Sequence, residues 1–227
     1  MIDLKGGKNM ADHTSTPLIH DVSLPLTEFL PVWPGDPPLS VRRLQQISRG
    51  DAATVSAISM GVHCGTHVDA PSHYLAHGRH VAELALEELM GPAQVVEVTT
   101  DEPIGPARLV ALDIAPHTRR LLLRTPFSGR RENHPEFRDN FPALTLAGAA
   151  WLRDRDIRLV GVDTPSVGMF DDPLPCHRLL LEAGIVVVEL LNLAGIRPGF
   201  YHFICLPLKL VGLEGAPARA VLIETAT

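Results

Sequence analysis

Residues His63–His73 read HCGTHVDAPSH, and the remainder of the 227-residue chain can be interpreted outward from this stretch. It holds three histidines and one aspartate, and imidazole nitrogens and carboxylate oxygens are the usual protein ligands of zinc and similar divalent ions. On a straight strand His63 and His67 would lie about 13 Å apart, whereas the ligands of one ion bind it at roughly 2.0–2.2 Å. A shared metal therefore requires a bend, which Gly65 or Pro71 can supply. The stretch predicts a strand that turns into a metal-binding loop at Gly65, and a histidine-rich surface loop is the alternative.

Composition and charge narrow the class of protein. A hydrophobic content of 45% is enough for a sizeable core, and a formal net charge of −6 argues against nucleic acid as a partner. The three cysteines show no disulfide-like spacing, which favours a cytoplasmic location. No apolar run approaches the ~18 residues of a membrane span, so no membrane partner is expected. Residues 1–16 are polar and lack the apolar segment of a secretory signal. We expect a flexible tail there, followed by a single domain over residues 17–227.

Several patterned segments predict regular elements on both sides of the loop. Thr54–Val62 is expected to be a strand that leads into it, and Arg158–Asp163 (RLVGVD) a buried strand. Thr145 can cap a helix that runs to about Arg155. By contrast, the polar and proline-punctuated Pro126–Pro142 is expected to be an exposed loop.

A second polar group lies in the C-terminal half. Glu189 interrupts Ile185–Leu190 (IVVVEL), an otherwise apolar segment that is typical of a strand buried on both faces. A carboxylate there is costly unless it is paired, protonated or bound to a metal, and His177 lies near the start of the preceding predicted helix. The spacing alone does not decide between a metal, an arginine partner and a neutral acid. Asp163 and Ser166, at the end of the preceding predicted strand, could orient metal ligands or simply cap a turn.

Trp33 is the large aromatic residue of a rigid loop. It lies in Leu30–Pro38 (LPVWPGDPP), where the prolines and the glycine restrict the backbone. A tryptophan in such a loop can fill core space or contact a ligand, and the residues themselves leave both interpretations open.

The pattern His-x-Gly-Thr-His-x-Asp-x-Pro-x-His of residues 63–73 resembles the signature of the putative cyclase family of metal-dependent hydrolases. This family includes isatin hydrolases and bacterial kynurenine formamidases, and the chain is most similar to the latter. The likeness runs from Asp21–Ser23 (DVS) through Trp33–Asp36 (WPGD) and Gly161–Ser166 (GVDTPS) to Leu206–Leu210 (LPLKL). By resemblance we expect an α/β fold of the swivelling β/β/α type, a single compact domain with a mixed, barrel-like sheet and peripheral helices.

The resemblance also implies roles for individual residues. It implies two divalent ions, with zinc expected and manganese as the alternative. Their ligands would be His63, His67 and Asp69 for the first ion, and Asp69, His177 and Glu189 for the second. His73 is implied as the general acid/base, and Trp33 as a contact to the substrate. A homodimer is implied as well.

The activity that the resemblance implies is hydrolysis of N-formyl-L-kynurenine to L-kynurenine and formate, a step of tryptophan catabolism. A metal would lower the pKa of bound water toward ~7, the resulting hydroxide would attack the formyl carbon, and His73 would protonate the leaving aniline nitrogen. A cyclic amide substrate, hydrolysed with manganese as in isatin hydrolases, is the nearest alternative. A metal-binding or regulatory protein without turnover is the alternative from another class.

Two cysteines lie where thiols are not expected. Cys64 and Cys176 each adjoin a predicted metal ligand, so either could enter the metal site or pack as a small side chain. Cys64 beside a histidine is also a candidate nucleophile.

Overall fold

The computed structural model describes residues 17–130 and 136–225, and seven of its strands form a closed barrel. The strands of this part of the chain are β1 (Ile19–Asp21), β2 (Ser40–Gln45), β3 (Val55–Ser59), β4 (His67–Asp69), β5 (Met90–Glu97), β6 (Arg120–Arg124), β7 (Leu159–Val162), β8 (Val186–Glu189), β9 (Gly199–Pro207) and β10 (Gly215–Glu224). The helices are α1 (Leu86–Leu89), α2 (Pro106–Ala111), α3 (Pro126–Arg130), α4 (Leu146–Asp154) and α5 (Leu174–Glu182). Short 3₁₀ turns cover Ile47–Arg49, Pro71–His73 and Val81–Glu83.

The barrel combines a parallel block with antiparallel neighbours. Its order is β10, β4, β8, β7, β6, β5 and β9, and β9 pairs with β10 to close the ring. Strands β5 to β8 run parallel to one another, whereas β4 and β9 are antiparallel to both of their neighbours. β1 pairs with β10 beside the ring, and β2 and β3 form a separate hairpin. The three-residue β4 therefore links the parallel block to the C-terminal strand.

Helices connect the parallel strands, because a parallel pair cannot be joined by a tight turn. α2 lies between β5 and β6, α3 and α4 lie between β6 and β7, and α5 lies between β7 and β8. At the start of α4, Thr145 Oγ1 accepts a hydrogen bond from the backbone N–H of Gly148 at 3.0 Å. This confirms the predicted helix cap.

Two apolar cores lie on opposite sides of the sheet, because successive strand residues point to opposite faces. One core fills the barrel and includes Val95, Leu122 and Phe203. The other lies between the sheet and the helices and includes Leu121 and Leu123. Each fully buried side chain of this size contributes about 1.5–3 kcal/mol of hydrophobic free energy.

The predicted fold class is confirmed, because the described residues form a single α/β domain with a mixed barrel and peripheral helices. The predicted strand Thr54–Val62 is shorter than expected, since β3 ends at Ser59. The prediction that Pro126–Pro142 is an exposed loop is wrong in part, because α3 begins there and Phe127 and Phe141 are buried. Its aromatic residues pack on one another, which outweighs the local polarity of the sequence.

The predicted tail, residues 1–16, lies outside the described residues, and the limits of the predicted domain over residues 17–227 stay a prediction. None of the helices in the described ranges has the length and apolar character needed to cross a membrane.

Candidate active site

The loop between β3 and β4 bends at Gly65, as predicted, but the prediction of a metal-binding loop beyond it is wrong in part, because His67 and Asp69 lie on strand β4. The φ of Gly65 is +68°, in the left-handed region that favours glycine. The carbonyl oxygen of Gly65 accepts a hydrogen bond from His67 Nδ1 at 2.8 Å. Because a carbonyl oxygen only accepts, the proton lies on Nδ1 and leaves Nε2 of His67 available as a metal ligand.

Strand β4 places His67 and Asp69 on one face, since they are two residues apart. His63 Nδ1 lies 3.0 Å from Asp69 Oδ1, and His67 Nε2 lies 3.3 Å from the same oxygen. The potential ligand atoms of these three residues all lie within 4.8 Å of one another. We call His63, His67 and Asp69 the first donor group.

A second donor group consists of Asp69, His177 and Glu189, whose potential ligand atoms also lie within 4.8 Å of one another. Strand β8 pairs antiparallel with β4, so that Glu189 lies opposite His67. From α5, His177 Nε2 lies 3.0 Å from Glu189 Oε1 and 3.5 Å from Asp69 Oδ2. His177 Nδ1 donates to the carbonyl oxygen of Pro173 at 2.9 Å, which again directs Nε2 toward the carboxylates.

The donor atoms fit a divalent metal. His63 Nε2, His67 Nε2 and Asp69 Oδ2 are buried and have no hydrogen-bond partner among the described residues. An unsatisfied buried polar atom costs about 1–3 kcal/mol, and such atoms are rare unless an ion or water completes their environment. Histidine nitrogens and carboxylate oxygens are ligands of zinc and related ions. All five predicted ligands therefore lie together, although their roles as ligands remain a proposal.

The electrostatics of the two donor groups also favour bound cations. Burial alone would lower the pKa of His67 and His177, but Asp69 and Glu189 outweigh it and raise both to about 10. Burial would raise the pKa of Asp69, but His177, His63 and His67 hold it well below its usual range. Two buried carboxylates thus retain protons on the neighbouring imidazoles, at the positions where a metal would otherwise provide positive charge.

His73 lies beside the first donor group without belonging to either group. Its ring stacks on His63 with a centroid distance of 4.0 Å and lies 6.1 Å from His177. The 3₁₀ turn Pro71–His73 begins two residues after Asp69 and positions this ring. Burial lowers the pKa of His73, so the imidazole is neutral at pH 7.

A cavity of about 390 Å³ opens over the donor groups. His63, His67, His73, His177 and Glu189 contribute to its lining. Its volume lies within the range of about 300–1,000 Å³ that is typical of small-molecule sites. These four histidines and one glutamate thus face a space of the right size for a small substrate.

The same cavity also has an apolar side, an aromatic wall formed by Trp33, Phe127 and Phe137. The ring of Trp33 lies 5.5 Å from that of Phe137 and 5.1 Å from that of Phe170, in edge-on and tilted geometries. The rigid loop predicted around Trp33 therefore presents this residue both to an aromatic cluster and to the cavity. Its role as a substrate contact remains a proposal.

The cavity-lining residues that sequence reasoning missed include Tyr74, Phe137 and Arg138. Tyr74 stacks on the ring of His177 at 4.6 Å, and burial together with the charges of Glu189 and Asp69 raises its pKa. Phe137 and Arg138 lie in the segment expected to be exposed. The aromatic residues of that segment were the available signal.

Asp163 and Ser166 stabilise the turn after β7. Asp163 accepts hydrogen bonds from the backbone N–H and the hydroxyl of Thr125 at 2.8 and 2.7 Å. Ser166 Oγ accepts from the N–H of Gly168 at 3.1 Å. The turn also orients a predicted ligand, because the N–H of Val167 donates to Glu189 Oε1 at 2.6 Å. Asp163 and Ser166 themselves bond to Thr125 and Gly168, so their role in orienting ligands stays a prediction.

The two cysteines of uncertain role are buried thiols. Burial raises the pKa of Cys64, and it raises that of Cys176 to about 12. Cys176 Sγ lies 3.8 Å from the carbonyl oxygen of Val167. Neither cysteine is part of a donor group in the described ranges. A thiolate nucleophile at Cys64 is disfavoured, because a nucleophilic cysteine needs a lowered pKa.

Comparisons with known proteins agree with these features. A sequence model of the putative cyclase family matches residues 20–168. The kynurenine formamidase of Geobacillus thermodenitrificans (strain NG80-2) is 36% identical over 203 residues, which cover 89% of this chain and 95% of that relative. The solved structure of a "predicted metal-dependent hydrolase" from Bacillus stearothermophilus has a TM-score of 0.79 and 29% identity, covering 93% of this chain and 100% of its own. Isatin hydrolase A from Labrenzia aggregata, bound to benzyl benzoate, has a TM-score of 0.78 and 26% identity, covering 92% and 94%.

Proposed function

This chain belongs to the putative cyclase family and is a metal-dependent hydrolase of carbon–nitrogen amide bonds, and we propose that its substrate is N-formyl-L-kynurenine. The products would be L-kynurenine and formate. The observation that carries the proposal is the pair of donor groups that share Asp69. These donor groups lie beside a cavity with an aromatic wall. The similarity to a kynurenine formamidase over 89% of the chain supports the choice of substrate.

The first donor group would hold one divalent ion and the second donor group another, so Asp69, which belongs to both groups, would contribute to each site. Zinc is the proposed metal, because nitrogen and carboxylate donors suit it, and manganese is the alternative. When bound, a divalent metal supplies Lewis acidity that activates water and polarises the scissile carbonyl. The hydrogen bonds from His67 Nδ1 and His177 Nδ1 to backbone carbonyls fix both rings for this purpose.

His73 is proposed to move the proton that the reaction transfers. As a neutral imidazole facing the cavity, it can accept a proton from the attacking water. Water oxygen then adds to the formyl carbon, the carbon–nitrogen bond breaks, and His73 returns the proton to the aniline nitrogen. The balance of the reaction needs only water: it gives a neutral amine and formic acid, which ionises to formate and releases a proton to the solvent.

The aromatic wall is proposed to bind the benzoyl ring of the substrate. Edge-on and tilted arrangements like those around Trp33 are the favoured geometries of aromatic pairs, and each pair contributes about 0.5–1.5 kcal/mol beyond area burial. A substrate ring packed there would leave its formamide directed toward the donor groups. A homodimer and a cytoplasmic location remain predictions.

A cyclic aromatic amide such as isatin is the second candidate substrate. It is favoured by the TM-score of 0.78 with isatin hydrolase A, and the aromatic wall would accept its fused ring equally well. Isatin opening releases no formate, so the two activities can be measured independently.

The test is elemental analysis of the purified protein combined with assays of formate release from N-formyl-L-kynurenine and of isatin opening, each with and without chelator. We expect about two zinc equivalents per chain and formate release that the chelator abolishes. Isatin opening without formate release would show that the substrate is a cyclic amide instead of N-formyl-L-kynurenine. Bound metal with neither activity would favour a metal-binding or regulatory protein. Activity that survives chelation and is lost on thiol alkylation would favour Cys64.

A further inference from the structure

Arg138 is a cationic residue that lines the cavity and that no step of the proposed mechanism uses. Arg138 is the one arginine or lysine among the described residues that line the cavity. It lies on the same side as the aromatic wall, because its guanidinium carbon is 5.7 Å from the centre of the Phe127 ring. The side chain is half-buried.

The guanidinium of Arg138 is available to a ligand. In the described part of the chain it forms no salt bridge with a carboxylate, unlike Arg79 and Arg219, which pair with Glu88 and Asp21. A guanidinium that contacts the face of Phe127 does not use its N–H groups in that contact, so they can still donate to a ligand. An arginine held on an aromatic face beside a binding cavity is preorganised for a planar anion.

We propose that Arg138 selects substrates that carry a carboxylate, by pairing with the α-carboxylate of N-formyl-L-kynurenine. This inference rests on the proposed function, since it names the group by which that substrate is distinguished. The substrate has a formamide at one end and an amino acid group at the other, joined through an aromatic ring. The cavity is lined by groups that suit each of these parts: the donor groups, the aromatic wall and Arg138.

The remaining charges of the cavity agree with an amino acid group. Glu214 lines the cavity beside the first donor group, with its Oε1 3.9 Å from His63 Nε2. Asp36 and Glu136 are exposed acids that line it, and Glu136 is two residues from Arg138. Their carboxylates suit the α-ammonium of the same zwitterion, just as the guanidinium suits its carboxylate. Isatin has neither group, so Arg138 would contribute nothing to its selection.

The test compares two formanilides on the metal-loaded enzyme, N-formyl-L-kynurenine and N-formyl-2-aminoacetophenone. The second keeps the ring, the ketone and the formamide and lacks the amino acid group. We expect Arg138→Gln to raise KM for N-formyl-L-kynurenine by about 10- to 100-fold, the effect of losing a charged hydrogen-bonded pair, with kcat changed less than about threefold. Kinetics on the truncated substrate should stay unchanged. Arg138→Lys should recover part of the affinity, since it keeps the charge without the planar fork.

Arg153→Gln is the matched control. Arg153 lies on α4, is exposed, and pairs with its neighbour Asp154 at 2.9 Å, so its loss removes the same charge outside the cavity. We expect it to leave both substrates unaffected.

Two results would overturn the inference: an equal loss on both substrates, which a purely structural contact with Phe127 would produce, and no loss on either. A wild-type enzyme that hydrolyses neither substrate would refute the proposed function instead. Calorimetry with L-kynurenine and 2-aminoacetophenone then decides the role of Arg138. Preferential binding of L-kynurenine that Arg138→Gln abolishes would sustain it, and equal binding of both compounds, or of neither, would refute it.

Discussion

At the residue scale, His73 is the side chain whose effect on turnover can be separated from metal binding. It stacks on His63 but is in neither donor group found in the described ranges. We expect His73→Ala to lower kcat by about 100- to 10,000-fold, the usual contribution of a general acid/base, and to leave the metal content unchanged. The measurements are kcat on N-formyl-L-kynurenine and elemental analysis of the same preparation.

His117→Ala provides the control for removing an imidazole. His117 stacks on the half-exposed Phe200 at 5.6 Å and does not line the cavity as far as the structure describes it, so we expect no change in kcat. A His73→Ala enzyme that bound metal and kept nearly wild-type turnover would rule out the proposed proton transfer.

The candidate ligands differ in how far sequence could identify them. His63, His67 and Asp69 are close in the chain, so ligand type and the need for a bend were enough to group them. His177 and Glu189 were left open, because spacing alone could not distinguish a metal from an arginine partner. What brings them to Asp69 is the pairing of β4 with β8, a contact between strands more than a hundred residues apart. Local pattern carries no information on such pairing.

At the scale of single elements, the bend before β4 determines where His67 points. Gly65 and Gly184 both have left-handed φ, +68° and +73°, so replacing either by alanine imposes a similar backbone strain, about 1 kcal/mol of unfolding free energy. Only Gly65 accepts the hydrogen bond that orients His67, and a Cβ there would lie 2.4 Å from Leu26 Cδ2. We expect both variants to lose stability, Gly65→Ala the more because of this crowding, and Gly65→Ala alone to lose metal affinity.

Urea unfolding and zinc titration of the two variants measure these effects. At Gly184 nothing lies within 4 Å of an added Cβ, which makes it a control for strain without crowding. Equal zinc affinity in both variants would show that the bend does not control the first donor group.

The segment Pro126–Pro142, which precedes α4, shows why some elements could not be predicted from the sequence. Its polar residues and prolines are typical of an exposed connection, yet Phe127, Phe137 and Phe141 belong to one aromatic cluster with Trp33. Trp33 lies about a hundred positions earlier in the chain, so the surface that buries these rings was not visible locally. The apolar segment around Val186–Glu189, by contrast, was predictable, because a parallel strand buried on both faces has a continuous hydrophobic pattern.

For the whole molecule, bound metal should stabilise the fold, because its proposed ligands come from a loop, two strands and a helix. At a metal concentration of 100 times Kd the gain is about 2.7 kcal/mol for each bound ion, or about 5–10 °C in Tm per ion for a chain of this size. We expect this gap between the zinc-loaded and metal-free protein to widen from pH 6 to pH 8. Differential scanning calorimetry in matched buffers measures it.

The expected widening of this stability gap with pH follows from the raised pKa of about 10 for His67 and His177 in the metal-free protein. Metal binding requires neutral imidazoles and so displaces protons, which becomes easier as pH rises toward 10. The raised pKa also stabilises the metal-free fold fully below the unfolded pKa of about 6.5, and this contribution declines as pH rises toward 10. Only the displacement of protons widens the gap, because the declining contribution to the metal-free fold lowers the stability of both forms equally. A gap that stays constant or narrows over this range would contradict the assignment, and Glu224→Gln, at an exposed position, should reproduce the wild-type curve.

The closure of the barrel by β10 has a consequence for how the protein is made. β4 pairs with β8 on one side and with Gly215–Pro217 of β10 on the other, so the strand that carries two proposed ligands gains its second neighbour only when β10 has been synthesised. During synthesis the first ligands leave the ribosome well before that strand. A nascent chain that lacks β10 carries these histidines without the strand pairs that arrange them, so we expect the metal sites to form only after β10 has been synthesised.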